Sequence, residues 1–90
     1  MKELKFIYQP KEEKPEYAKF ACGIVHRAGE FMSDITLKSK GTNGDTIVDL
    51  KSILGVVSLH ASLGKELTIT IEGIDEDEAY MSLKAYVEKW

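Results

Sequence analysis

The chain opens with "ELKFIY", Glu3 to Tyr8, in which polar and apolar side chains alternate and β-favouring types dominate. Alternation of period two gathers one set of side chains on a single face, so the segment predicts a strand. The pattern breaks at "QPKEEKPE", where two prolines and five charges make an exposed loop. Pro15 and Glu16 suit the entry to a helix, the proline by its fixed φ and the carboxylate by meeting the positive end of the dipole. From Tyr17 the apolar residues Ala21, Ile24, Ala28 and Phe31 recur at steps of three and four, with Phe20 and Val25 flanking them. That is the stripe of an amphipathic helix. Lys19, Gly23, His26, Arg27 and Glu30 fall on its other side, which reads as a solvated face.

Beyond it, "SDITLKSK" and "DTIVDL" alternate on either side of the turn residues "GTNG", the pattern of an antiparallel hairpin. "SILGVVSLHASLG" predicts a short helix with Ser52 at its N-cap and Gly64 beyond its end. "KELTITIEG" alternates as a further strand. The closing "DEDEAYMSLKAYVEKW" sets Asp75 and Glu78 at capping-box spacing and puts Ala79, Leu83, Tyr86, Val87 and Trp90 on one side of a helix. The order is β-α-β-β-α-β-α. It predicts an α+β fold, an open-faced sandwich in which three helices cover one face of a four-stranded antiparallel sheet. Alternation by itself fits the ferredoxin-like split β-α-β folds equally well.

Ninety residues, 43% hydrophobic and 30% charged, suit one folded domain over residues 1–90. A net charge of −3, with 12 scattered Lys and Arg, leaves no basic face for a phosphate backbone, which argues against direct nucleic-acid binding. No apolar run approaches the roughly 20 residues that span a bilayer, and "MKELKFIYQP" lacks the apolar core of a signal peptide. The expectation is a cytoplasmic protein that does not engage a membrane.

Candidate chemistry is sparse. The single cysteine, Cys22, reads as a buried structural thiol. His26 and His60 are the only histidines; both read as surface residues, and they combine with Cys22 in no metal-ligand spacing. The carboxylates of "KEEK" and "DEDE" read as solvated loop and cap residues, not as a paired acid and base. No catalytic site is visible and no cofactor or metal is implied, so the reading is of a protein that is not an enzyme.

"VDLKSILGVVSLHASLGKELTITIEGIDEDEAYMSL" resembles the second half of the HPr family, the histidine-containing phosphocarriers of the bacterial phosphoenolpyruvate:sugar phosphotransferase system. The resemblance rests on the Leu-Lys-Ser-Ile-hydrophobe-Gly-Val block, here Leu50 to Val56, the strand that follows, and the acidic start of the last helix, Asp75 to Glu78. With spacing included it extends over essentially the whole chain and implies the sandwich already argued. In that family a phosphoacceptor histidine precedes the first helix in a Gly-hydrophobe-His-Ala-Arg-Pro-Ala motif, where an imidazole passes a phosphoryl group at neutral pH.

"GIVHRAG", Gly23 to Gly29, contains His26 and Arg27, but a helix starting there would be only about half the family's length before the strand at Asp34. The register that keeps the helix length aligns "PEYAKFA", Pro15 to Ala21, with the motif and retains Ala18 and Ala21. Tyr17 then stands where the family has histidine, Lys19 where it has arginine and Phe20 where it has proline. A phenol with a pKa of about 10 forms a phosphate ester too stable to relay. Lys19 keeps a positive charge beside the helix start without the bidentate fork. Tyr17 is either the remnant of an anion site or a half-buried aromatic beginning a helix.

The resemblance also implies a role for Ser52. In HPr proteins of Gram-positive bacteria, and in a histidine-less class of the family called Crh, the matching serine is phosphorylated by an ATP-dependent HPr kinase, and the phosphoprotein serves the catabolite repressor as corepressor. By that resemblance Ile53, Leu54 and Val57 form the docking surface, and the partners are HPr kinase/phosphorylase and a catabolite repressor or phosphotransferase-system protein. Ser52 is either a plain N-cap or a modification site. The leading expectation is a divergent, Crh-like regulatory module. The alternatives are a carrier with a relocated histidine acceptor such as His26, or an HPr-fold binding scaffold outside the sugar system.

Overall fold

Alternating segments become strands and three-four periodic ones become helices throughout. The computed structural model describes residues 1–7, 17–40, 44–59 and 66–89. Along them run β1 (Lys2–Ile7), α1 (Tyr17–Ala28), β2 (Asp34–Ser39), β3 (Thr46–Asp49), α2 (Ile53–Leu59), β4 (Glu66–Glu72) and α3 (Glu76–Glu88). The loop around "KEEK", most of the "GTNG" turn, His60, Gly64 and Trp90 lie outside the described residues.

The sheet order is β1-β4-β2-β3, and every neighbouring pair is antiparallel. In register, Leu4 lies opposite Ile69, and Ile35 and Leu37 lie opposite Ile71 and Ile69. These residues share one pleat face with Leu67, and burial of that face is what the alternation encodes. Phe20, Ala21, Ile24 and Ala28 of α1, Val56 of α2, and Ala79 and Leu83 of α3 close over it, each fully buried. The α+β sandwich is thus the fold present, with its helices layered on one side of the sheet.

Three local expectations are corrected. Cys22 is exposed, because about 100° per residue carries it off the stripe of Ala21, Ile24 and Ala28. Gly23 and Arg27 are not on a free face, since α3 packs there. Tyr86 donates its hydroxyl hydrogen bond to the carbonyl of Phe20 at 2.9 Å, and the Arg27 guanidinium sits 5.3 Å from the centre of the Tyr86 ring while donating to the Ser82 carbonyl. A Cβ at position 23 would overlap the Tyr86 hydroxyl, so only glycine permits this approach.

The capping box at Asp75 and Glu78 does not form. Asp75 occupies the N-cap of α3 without a side-chain cap bond. Its carboxylate instead accepts from the backbone N–H of Met32 at 2.8 Å, from that of Ser33 at 2.9 Å, and from the Ser33 hydroxyl. Those donors hold the Asp75 carboxyl below its ordinary value of 3.8, the Ser33 hydroxyl contributing most. The clasp ties the connection between α1 and β2 to the start of α3, where Gly73 comes so close to Ser33 that a Cβ would lie 2.6 Å from the serine Cα.

Candidate functional site

The segment from Leu50 to Leu59 is built on the end of the β2–β3 hairpin. Leu50 is fully buried and its N–H donates to the carbonyl of Ile35 at 2.9 Å, which fixes where the chain leaves β3. Asp49 then makes the turn: its carboxylate accepts from the Lys51 N–H at 2.9 Å, and its carbonyl accepts from the Ser52 N–H at 3.0 Å. The Lys51 ammonium reaches back to the carbonyl of Phe31 at 2.8 Å, so the turn is pinned to the connection between α1 and β2 as well.

Ser52 is where this turn becomes a helix. Its carbonyl accepts from the Val56 N–H at 3.0 Å, and its hydroxyl oxygen accepts from the Gly55 N–H at 3.2 Å. That pair of bonds makes Ser52 the N-cap of α2, satisfying one of the backbone donors every helix start leaves over. The residue is half-buried, and its hydroxyl stands at the positive end of the short helix.

Seven residues give α2 two sides. Val56 is its one fully buried residue, and Gly55 lets the helix lie against Val48 of β3. The other side carries Ile53 (38% exposed), Val57 (41%) and Leu54 (81%). Three large aliphatic residues are therefore left in solvent within two turns of the serine, a patch of the kind that marks contact with another protein.

Tyr17 is the first residue of α1 and belongs to the core, so the half-buried aromatic expected there is corrected to a buried one. Its ring stands 6.1 Å from that of Phe20, and its hydroxyl donates to the carbonyl of Val56 at 2.6 Å. The patterning missed this link, because a contact across 39 residues leaves no periodic trace; the one signal was an aromatic with a polar tip on the apolar stripe. Lys19, two residues on, is exposed.

His26 is exposed on α1, nine residues and so roughly 13 Å of helix from Tyr17. Ser52, Ile53, Leu54 and Val57 are brought together on α2, and Tyr17 is joined to them through Val56. His26 and Cys22 are both exposed residues of α1. Among the described residues no three of His, Cys, Asp and Glu cluster in a way that could hold a metal ion, and no helix is long and apolar enough to cross a membrane.

A sequence profile described as "PTS HPr component phosphorylation site" matches residues 16–89. The HPr-like protein Crh of Bacillus subtilis is 40% identical over 72 residues, 80% of each chain. Among solved structures, HPr-C-His from Thermoanaerobacter tengcongensis superposes with a TM-score of 0.82 at 32% identity, covering 99% of this chain and 93% of that one. The crystal structure of Bacillus subtilis Crh, a swapped and intertwined dimer, gives a TM-score of 0.68 at 36% identity over 93% of this chain and 95% of its own.

Proposed function

The chain belongs to the HPr family, and on that premise we propose that it is a regulatory interaction module of the phosphotransferase system whose modifiable residue is Ser52. The observation that carries this reading is the pairing of the Ser52 hydroxyl, at the cap of α2, with the exposed Ile53, Leu54 and Val57 on the same two turns. Transfer of the γ-phosphoryl group from ATP to the Ser52 oxygen breaks the β–γ phosphoanhydride bond, releases ADP and the hydroxyl proton, and adds nearly two negative charges at the helix start. The uncapped N–H groups and the dipole accommodate that charge there, by about 0.3–1 kcal/mol at an exposed site. A partner that reads the aliphatic patch then meets either a neutral or a dianionic rim, and the two states select different partners.

Position 17 supports the regulatory reading over carriage. A buried phenol already donating to a backbone carbonyl is not presented to a phosphoryl donor, and its ester would not hand the group on. The partners that follow are HPr kinase/phosphorylase and a catabolite repressor or another protein of the phosphotransferase system. In this reading the kinase catalyses the phosphoryl transfer and this chain is its substrate.

The test supplies the protein in parallel with ATP and HPr kinase, and with phosphoenolpyruvate and the first enzyme of the system, locating phosphate by mass spectrometry. The expected result is one phosphate from ATP at Ser52, absent in Ser52→Ala, and none from phosphoenolpyruvate. Acid-labile phosphate on His26 or His60 would establish a carrier instead, and no phosphate from either donor would point to a scaffold outside the sugar system. Ser52→Ala also removes the cap, costing about 0.5–2 kcal/mol, so its fold is checked by its melting curve.

A further inference from the structure

A seven-residue helix is too short to stand by itself in water, so α2 depends on what the rest of the molecule does for it. Its start is provided for by the Ser52 hydroxyl. Val56 lies within the helix and is fully buried, and a buried carbonyl has to be given its donor by the protein. The Tyr17 hydroxyl is a donor at 2.6 Å, reaching α2 from the first turn of another helix.

We infer that the Tyr17 hydroxyl is a tertiary cap that positions α2, and with it Ser52 and the Leu54/Val57 face, for the proteins that read them. This rests on the reading of Ser52 given above and adds what regulates the presentation of that site. Two hydrogen bonds in series lead from one residue to the other: the Tyr17 hydroxyl to the Val56 carbonyl, and the Val56 N–H to the Ser52 carbonyl. The phenol is rigidly placed, because its ring packs beside Phe20 in the core. Position 17 thus orients the serine helix from α1, and a phenylalanine there would keep the ring while deleting the donor. Tyr17 is a positioning residue; it acts on Ser52 through Val56.

The experiment compares wild type, Tyr17→Phe and, as a calibration of general loosening, Phe20→Leu, by hydrogen exchange read by mass spectrometry and by the kinetics of Ser52 phosphorylation with ATP and HPr kinase. Deleting one hydrogen bond predicts roughly fivefold faster exchange at the amides of Gly55 to Leu59 in Tyr17→Phe, with β4 and α3 unchanged. Phe20→Leu raises exchange across all three helices. With the kinase, Tyr17→Phe raises KM several-fold and leaves kcat near wild type, because the chemistry is untouched and only the presentation of the helix is altered. Unchanged exchange in α2, or a rise as uniform as that of Phe20→Leu, overturns the cap, as does an unchanged KM. If wild type takes no phosphate from ATP, the reading of Ser52 falls, and the exchange data still decide whether Tyr17 holds α2.

Discussion

α3 turns Ala79 and Leu83 fully inward and backs them with the half-buried Tyr80, Tyr86 and Val87, whereas α2 buries Val56 alone and leaves Leu54 81% exposed with Ile53 and Val57 beside it. The residue types are similar, but their use differs. In α3 Ala79 and Leu83 are committed to the core while Met81 stays in solvent, and the polar tips of Tyr86, Arg27 and Asp75 lock the helix to α1 and to the entry of β2. In α2 most of the apolar surface is kept out of the core, and hydrogen bonds from Tyr17 and to Ser52 hold the helix instead. A helix attached this way has little packing of its own, which places α2 at the weaker end of the stability range within one domain.

The comparison is broken most severely at Leu83. Truncating this fully buried side chain in Leu83→Ala should cost about 2–5 kcal/mol, read from the urea midpoint, through the lost burial and the cavity left behind. A smaller break lies at the contact between α1 and α3: Gly23→Ala puts a methyl group into the Tyr86 hydroxyl and should cost about 1–3 kcal/mol, with loss of the bond to the Phe20 carbonyl. A loss after Gly23→Ala no larger than that of an ordinary surface change would mean that Tyr86 has room to move aside.

The third way to sharpen it is pH. Asp75 titrates below its ordinary 3.8 in the folded chain, so its contribution is present in full above that value and is lost as pH falls through the folded one. Asp75→Asn should therefore lower stability at neutral pH and flatten the acid limb below about pH 4, measured as urea midpoints across the pH range. Equal acid limbs in the two proteins would assign acid sensitivity to other carboxylates, Glu76 first, whose carboxyl is held low by the N-terminal ammonium and the Gly73 N–H. The smallest effect on folding belongs to α2: Leu54→Ala should change stability by less than about 0.5 kcal/mol and yet weaken capture by the partner that reads the patch. A loss from Leu54→Ala comparable to that from Leu83→Ala would show that α2 is part of the core after all.

How far patterning reaches is visible residue by residue. The alternation of "LTITI" and "ITL" placed Leu67, Ile69, Ile71, Ile35 and Leu37 on one buried face, and Ser52 was legible as an N-cap from its place before an apolar turn. The Leu-Lys-Ser-Ile-Leu-Gly block also led to the family that the profile and the relatives then showed. Side chains with two uses were harder to place. Asp75 has the spacing of a capping box, but Met32 and Ser33, 42 or more residues away in sequence, offer three donors that the box cannot match. Gly23 and Arg27 fall outside the apolar stripe of α1, and only the arrival of α3 turns that side into a contact.

Element order, strand faces and the position of the serine cap were settled by the amino-acid sequence alone, because periodicity and capping act over a few neighbouring residues and leave their mark in order and spacing. Which apolar side chains of α2 would enter the core, where the Asp75 carboxylate would find its donors, and what the Tyr17 hydroxyl would reach were decided only by tertiary structure. Each of these depends on a partner 39 or more residues away, or on how much room the packed sheet and helices leave, and no local pattern carries that information.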